Sequence, residues 1–170
     1  MTPRIWKFPL VALALSPREV GFVAATGPMR IDAVRSWSVR HVAADARRQF
    51  LESRVLRALE KFEPETIIVT HGSRWRMSER LRSGSKAAVR ALGLRSSFLD
   101  LEGACDILEC PRTLSAAAER IVAWHPELER RLRPALGTKV DPGALRDVRP
   151  VLSALTVAHA ASVRHVIKFG

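Results

Sequence analysis

The hydrophobic residues in the first quarter of the chain fall into three short runs separated by turn residues. The first run covers residues 10–15 and is apolar throughout, the second covers residues 20–26, and the third covers residues 31–40 after a Gly-Pro-Met connection. In the third run apolar and polar positions alternate, which is typical of a half-exposed strand. The pattern predicts a three-strand β-meander.

Helical spacing replaces this alternation farther along. Residues 43–62 carry apolar side chains three and four positions apart, and Pro64 cannot continue a helix, so we expect a crossover helix there. The β-branched run at residues 65–70 predicts a buried strand parallel to the first, and we expect Leu13 and Ile68 on these two strands to be covered by the crossover helix. We expect the rest to be a basic helix at 78–92, a strand at 94–101, a helix at 113–124, a mobile connection at 134–143 and a long apolar helix at about 149–168.

This order of strands and helices is the order found in ribonuclease H-like domains. Right-handed crossovers would place the first strand beside the fourth at the centre of the sheet. We therefore expect residues 1–170 to form one α/β domain of ribonuclease H-like type. Its mixed five-stranded sheet would combine the three-strand meander with two parallel strands, and helices would cover both faces.

The end of the first strand resembles that of the RuvC-type Holliday-junction resolvases, a branch of the ribonuclease H-like nucleases. In that family the strand ends at an aspartate followed by proline and a small residue, and here the corresponding residues are Ser16, Pro17 and Arg18. The resemblance covers most of the chain but depends on element order and hydrophobic pattern. It implies a nuclease fold in which the first acidic residue is replaced.

Catalysis in this family uses two divalent metals held by carboxylates from the first strand, the fourth strand and the start of the last helix. Two ions about 4 Å apart need several converging anionic oxygens. The matching positions are Ser16, Thr70 or His71, and Pro150, so none is acidic. The nearest acids are Glu19, Glu79 and Asp147. The resemblance therefore implies a catalytically degenerate member without metal or other cofactor.

Two smaller groups of residues could carry chemistry of their own. The acids that follow the fifth strand predict either solvated and helix-capping residues or a relocated metal site; they are Asp100, Glu102, Asp106 and Glu109. Cys105 and Cys110 are expected to be reduced thiols without special chemistry, and the five histidines show no metal-ligand spacing.

Charge distinguishes this chain from an ordinary α/β domain. Its 28 lysines and arginines exceed its 17 acids, which gives a formal charge of +11 and a pI near 11.2. Arginine binds phosphate bidentately, so nucleic acid is the first partner to consider. The alternative is a generally solvated surface in a protein from a GC-rich genome, which favours arginine codons. The apolar runs are too short to span a bilayer, and we expect a cytoplasmic protein without a membrane partner.

The excess charge is concentrated in residues 71–95, where cations surround one tryptophan. We predict nucleic-acid contacts from a subset of this segment: Arg74, Trp75, Arg76, Arg80, Arg82 and Lys86. Cations bind phosphate without reading sequence, and an aromatic ring can stack on an unpaired base. A solvated face with a buried tryptophan is the alternative interpretation.

Three functional hypotheses follow from these features. The first is a catalytically inactive RuvC-like domain that binds nucleic acid or serves as an assembly component of a nucleoprotein complex. The second is an active Mg-dependent endonuclease whose carboxylates lie at other positions. The third is a protein–protein interaction subunit that uses the apolar last helix together with Trp6, Trp37 and Trp124.

Overall fold

A five-stranded mixed sheet forms the centre of the protein in the computed structural model, which describes residues 5–16, 18–71, 79–137 and 141–169. The strands are β1 (Leu10–Leu15), β2 (Glu19–Gly27), β3 (Arg30–Ser38), β4 (Thr66–His71) and β5 (Ser96–Phe98). Their spatial order is β3-β2-β1-β4-β5; β1, β2 and β3 pair antiparallel, and β4 and β5 continue parallel to β1. This confirms the predicted meander and the central pairing of β1 with β4.

Helices cover both faces of this sheet, as predicted. One face carries α1 (Arg47–Phe62) and α2 (Glu79–Ala91), which we call the α1 face. The other carries α3 (Leu101–Ile107), α4 (Leu114–Trp124), α5 (Glu129–Leu132) and α6 (Pro142–Phe169), which we call the α6 face. None of the helices in the described ranges is both long enough and apolar enough to cross a bilayer.

The alternation of side chains along β1 separates the core into two layers. Val11, Leu13 and Leu15 pack on the α1 face together with Leu51, Val55 and Leu59 of α1. The intervening residues Leu10, Ala12 and Ala14 pack on the α6 face. All six residues of β1 are buried because the strand is central and both of its faces are covered.

Four details differ from the sequence-based expectations. The fifth strand stops at Phe98 because Asp100 starts helix α3, which the hydrophobic pattern did not reveal. The first helix starts at Arg47 rather than residue 43. The last helix begins at Pro142, inside the connection expected to be mobile. Finally, Ile68 packs on the α6 face and not under α1, because it is paired with Ala12 and shares its side of the sheet.

Helix α6 runs along the sheet from one end of β1 to the other. Its Pro150 lies against Gly21, which pairs with Ala14 near the carboxyl end of β1. Four turns later the His165 ring makes an edge contact with Phe8, just before β1 begins, with 5.4 Å between the ring centroids. The turns of α6 that precede Pro150 therefore extend past the carboxyl edge of the sheet.

Candidate functional site

The candidate site is the carboxyl edge of the sheet, where β1, β4 and β5 end and β2 begins. Across this edge Gly21, Ala14 and Thr70 lie side by side on β2, β1 and β4. A Cβ atom added to Gly21 would lie 2.2 Å from the Pro150 carbonyl oxygen, so the backbone of α6 rests directly on the sheet at this point. The structure thus brings the ends of β1 and β4 and the Pro150 turn of α6 to one place.

Ser16, which the resemblance matches to the family's first aspartate, has its hydroxyl held by the backbone of the following turn. Ser16 Oγ donates to the Glu19 carbonyl at 2.7 Å and accepts from the Glu19 N–H at 3.1 Å. The Ser16 N–H donates to the same carbonyl at 3.0 Å. The side chain is nearly buried, with 7% exposure. The hydroxyl stabilises the β1–β2 turn, and no described base is bonded to it.

Thr70 and His71, the two residues that the resemblance offers for the second position, lie on opposite faces of the sheet. In the parallel pairing Thr70 is opposite Ala14 and shares the α6 face, whereas His71 is opposite Leu15 and lies on the α1 face. There the His71 ring contacts Phe98 edge-on, with 5.1 Å between centroids. Which of the two matches the family's position stays a prediction. Thr70 is fully buried, and its Oγ1 has no hydrogen-bond partner among the described residues.

Pro150, which the resemblance matches to the third position, lies in the interior of α6 and not at its start. Its ring is buried, and proline has no N–H to close the helical hydrogen bond of the preceding turn. The helix nevertheless continues without interruption from Pro142 to Phe169. A proline ring provides no metal ligand, so the three positions together present two neutral hydroxyl groups and one apolar ring.

Glu19 and Asp147, two of the three acids nearest to the matched positions, interact electrostatically at the rim of this edge. Glu19, the first residue of β2, lies near Asp147 of α6 and forms an ion pair with Arg40, with 3.8 Å between Nη2 and Oε1. Burial raises the pKa of Glu19, Arg40 counteracts this, and the negative charge of Asp147 adds to it. The side chain of Glu79 lies outside the described set. Within that set, no three His, Cys, Asp or Glu residues are grouped so that they could hold a metal ion.

The acids that follow β5 have structural partners. Asp100 Oδ1 accepts from the Gly103 N–H at 2.7 Å and caps α3. Arg112 binds Asp106 at 2.9 Å and Glu102 at 3.4 Å, and all three side chains are exposed. The Glu109 carbonyl accepts from Arg120 at 3.2 Å. The capping and solvated interpretation is confirmed for this cluster.

The outer surfaces of α1 and α2 form a basic helix face. The two helices carry nine cations and three acids: Arg47, Arg48, Arg54, Arg57, Lys61, Arg80, Arg82, Lys86 and Arg90 against Glu52, Glu60 and Glu79. They pack closely, since a Cβ atom at Gly84 would lie 2.9 Å from the Arg48 carbonyl oxygen. Because α1 follows β3 and α2 follows β4, both helices begin near the carboxyl edge.

The cations of this face that the structure describes project into solvent. Arg48, Arg54, Arg57 and Lys61 on α1 are exposed, and so are Lys86 and Arg90 on α2. None of these six forms an ion pair with a described carboxylate. Arg54 does lie over the Phe50 ring, with its guanidinium carbon 5.2 Å from the centroid. The face therefore presents cations that are free of described acidic partners.

The structure describes only some of the residues predicted to contact nucleic acid. Lys86 is exposed on α2 as expected, Arg80 and Arg82 belong to α2 but their side chains are not described, and Arg74, Trp75 and Arg76 lie outside the described residues. The cations of α1 were missed. Their signal was present in the sequence, because Arg54, Arg57 and Lys61 recur three and four positions apart on the polar side of the predicted helix.

Comparison with known proteins gives structural neighbours only. No protein-family model matches the sequence, and no curated protein is similar to it in sequence. RuvC of Thermus thermophilus superposes with a TM-score of 0.61 at 15% identity, over 92% of this chain and 96% of that one. The same protein in complex with a Holliday junction substrate gives 0.61 at 16% identity, over 92% and 94%. The yeast mitochondrial Holliday junction resolvase Ydc2 gives 0.61 at 12% identity, over 99% and 85%.

These superpositions cover most of the chain and agree with the predicted fold. At such low identity they establish the fold and leave the activity open. The chain has the ribonuclease H-like fold of the RuvC-type Holliday-junction resolvases.

Proposed function

We propose that this protein is a catalytically inactive RuvC-like domain that binds nucleic acid through the basic helix face. The observation that supports it most is the contrast at the carboxyl edge. The residues that the resemblance matches to the family's metal-binding positions, Ser16, Thr70 and Pro150, are buried and neutral, while the helices that begin beside them carry cations without a described acidic partner.

Loss of the two-metal reaction follows from the chemistry of these side chains. Mg²⁺ keeps its water unless carboxylates or phosphates replace it, and a pair of ions needs several such ligands. Glu19 and Asp147 are two acids, and Arg40 already neutralises one of them. A metal pair at this edge would lack most of its anionic ligands.

Binding through the basic helix face is supported by the kind and arrangement of its charges. A phosphate backbone attracts cations that are not already neutralised, and each contact releases condensed counterions. Arg54, Arg57 and Lys61 follow one side of α1, where no described acid neutralises them. Contacts of this type recognise the backbone and not the bases, so sequence preference should be weak.

Branched DNA is the first ligand to test. The RuvC neighbour from Thermus was captured with a Holliday junction substrate, and a shared fold offers a similar surface for a four-way junction. We also retain the cytoplasmic location expected from the sequence as part of this proposal. The two cysteines are free thiols, as is usual in a reducing compartment.

Fluorescence anisotropy tests the binding half of the proposal. A labelled four-way junction, a duplex of the same sequence and a single strand are titrated with the protein between low and moderate salt. Replacing Arg54, Arg57 and Lys61 by alanine should weaken binding to all sequences alike and reduce the logarithmic salt slope by up to about 2.7 on duplex DNA, since each neutralised phosphate contributes about 0.9.

A matched control keeps the net charge comparable. Arg130 and Arg131 on α5 and the following Arg133 are exposed on the other side of the sheet. Replacing all three by alanine removes the same charge and should leave affinity and slope nearly unchanged. If the α1 variant binds with wild-type affinity and slope, or if the α5 variant is equally weakened, the basic helix face is not the binding surface.

A cleavage assay tests the catalytic half. The protein is incubated with a four-way junction in Mg²⁺ or Mn²⁺, and strand products are measured against a no-metal control. We expect no metal-dependent product. Cleavage that disappears in both Glu19→Gln and Asp147→Asn variants would replace this proposal with an active nuclease that uses relocated acids.

One observation favours a protein-binding role as a second candidate. Trp6 is buried and Trp37 is half-buried, but Trp124 is 60% exposed. Ile167 and Phe169 near the end of α6 are 78% and 65% exposed. Absence of binding to all three nucleic acids, together with a defined oligomer that Trp124→Ser or Ile167→Ser disrupts in light scattering, would favour this role.

A further inference from the structure

The end of helix α3 has a specific hydrogen-bond pattern. The Cys110 N–H donates to the Cys105 carbonyl at 3.1 Å, and the Glu109 N–H donates to the Asp106 carbonyl at 3.2 Å. Glu109 has a φ of 52°, in the left-handed region. Together these features define a Schellman motif, in which the residue two places past the helix cap bonds back to a residue in its last turn.

This motif fixes which two side chains come together. In this motif the residue two places past the helix cap frequently packs against the residue to which its N–H donates, and such pairs are commonly apolar. Here the two residues are Cys110 and Cys105. The backbone therefore brings together two cysteines that the sequence predicts to be reduced thiols without special chemistry.

We propose that Cys105 and Cys110 are an oxidisable dithiol that forms an intramolecular disulfide across the C-terminus of α3. A disulfide requires close Cα atoms and facing Cβ atoms, and the direct backbone hydrogen bond of the Schellman motif brings the two residues close to each other. The oxidant is a peroxide. This inference is independent of nucleic-acid binding.

The reaction takes place in two balanced steps. The Cys110 sulfur attacks the peroxide, the O–O bond breaks, and Cys110 becomes a sulfenic acid while the peroxide leaves as an alcohol or water. The Cys105 sulfur then attacks the sulfenic sulfur, the S–S bond forms, and one molecule of water leaves with the thiol proton. Two electrons pass from the cysteine pair to the peroxide.

Burial decides which cysteine reacts first. Cys105 is fully buried, and its pKa is raised to about 12, first by burial and then by the neighbouring Cys110. Such a thiol is a poor target for an oxidant in solution. Cys110 is half-buried and can meet the peroxide. Cys105 then acts as the resolving cysteine, because contact with Cys110 supplies the proximity that its protonated thiol needs.

Mass spectrometry of the full chain provides the test. The protein is reduced, desalted, exposed to hydrogen peroxide, quenched, and alkylated in denaturant. Residues 96–112 form one tryptic peptide that contains both cysteines. We expect this peptide to lose two hydrogen atoms and both alkylation sites, and to recover both after dithiothreitol. Cleavage after Glu109 should leave its two halves joined until reduction.

Two single variants separate a paired mechanism from independent oxidation. Cys110→Ser should leave Cys105 alkylatable after the same exposure, because it is buried. Cys105→Ser should leave Cys110 as a sulfenic acid or an intermolecular disulfide. The proposal is overturned if the wild-type peptide keeps two alkylatable thiols, or if Cys110 proceeds to sulfinic acid while Cys105 stays free.

Discussion

The helices on the two faces of the sheet differ in how much of their surface is buried. On the α6 face, α6 is buried almost without interruption from Val148 to Ser162, because α3, α4 and α5 cover its outer side. On the α1 face, α1 buries only Leu51, Val55 and Leu59 and turns its remaining surface outward with its cations. Thr70 and Pro150 are buried on the sealed face, whereas the outer side of α1 carries exposed cations on the open one.

This difference has a physical basis in what burial requires. A carboxylate at Thr70 or Pro150 would be removed from water, which is costly unless a cation compensates for it. Hydroxyl and apolar groups at these sites have a much smaller penalty. Cations on the outer side of α1 remain hydrated and need no partner to be stable. Packing therefore constrains the buried sites of Thr70 and Pro150, whereas the cations on the outer side of α1 are available to bind a partner.

The largest expected effect is a cavity in either core layer. Leu13 packs on the α1 face and Ile68 on the α6 face, and both are fully buried. Truncating either to alanine should lower the free energy of unfolding by about 2 to 5 kcal/mol, measured by urea denaturation. Because the two side chains lie in separate layers, their effects should add within about 0.5 kcal/mol in the double variant.

The control for this prediction is on the exposed third strand. Arg35→Ala should change the free energy of unfolding by less than about 0.5 kcal/mol. Coupling of more than about 1 kcal/mol between Leu13→Ala and Ile68→Ala would show that the two layers are not independent, and the contrast between the faces would lose its basis.

The sequence predicted that helices cover both faces of the sheet, but not which residues of each strand face α1 and which face α6. The apolar run of β1 and the β-branched run of β4 identified the central strands, and the strand and helix order identified the sheet. Whether Ile68 or Ile67 faces α1 depends on the pairing of β4 with β1, which is a long-range property. The same limitation left Thr70 and His71 undecided as the second position.

The last helix shows a second limit of local sequence signals. Proline is common in the first turn of a helix, so the pattern indicated a start near Pro150. In the structure eight helical residues precede it, and the backbone carbonyl of Pro150 packs on Gly21. Glycine on β2 permits this close approach of α6, and only the tertiary contact reveals it.

The second prediction compares the tightest backbone approach on each face. A Cβ at Gly21 would lie 2.2 Å from the Pro150 oxygen, and a Cβ at Gly84 would lie 2.9 Å from the Arg48 oxygen. Gly21→Ala should cost about 3 kcal/mol, because two backbones must separate. Gly84→Ala should cost much less, since alanine's higher helix propensity offsets part of the strain by about 1 kcal/mol.

Gly27→Ala is the matched control, because a Cβ there meets no atom within 4 Å. Thermal and urea unfolding of the three variants gives their order. If Gly84→Ala is as damaging as Gly21→Ala, the α1 face is packed as tightly as the α6 face.

The third prediction is an acid sensitivity restricted to the α6 face. His159 is buried there beside His125, with 5.6 Å between ring centroids, and its pKa is lowered to about 4 by burial, then by His125 and Arg120. In the unfolded chain a histidine titrates near 6.5. Full stability is therefore present above about pH 6.5 and declines as the pH falls towards 4, by about 3 kcal/mol in total.

Urea unfolding at several pH values between 7 and 4 measures this slope. His159→Leu should flatten it, because the buried titrating group is gone, whereas replacement of the exposed His41 by alanine should leave it unchanged. A wild-type slope that persists in His159→Leu would show that His159 is not the source of the acid sensitivity.

The smallest expected effects come from the helix caps, where the two faces differ again. On the α6 face Asp100 caps α3 through the Gly103 N–H at 2.7 Å, and Thr113 caps α4 through the Ala116 N–H at 3.2 Å. On the α1 face, α1 begins at Ala46 without a side-chain cap. Thr113→Ala and Asp100→Ala should each lower the free energy of unfolding by about 1 kcal/mol, and the conservative Thr113→Ser and Asp100→Asn should recover most of it.

Ala46→Gly, at a position with no cap to lose, should change the free energy of unfolding by less than about 0.5 kcal/mol in the same urea series. Equal losses at all three positions would mean that α3 and α4 do not depend on their caps more than α1 does, so covering by neighbouring helices alone would account for the stability of the α6 face.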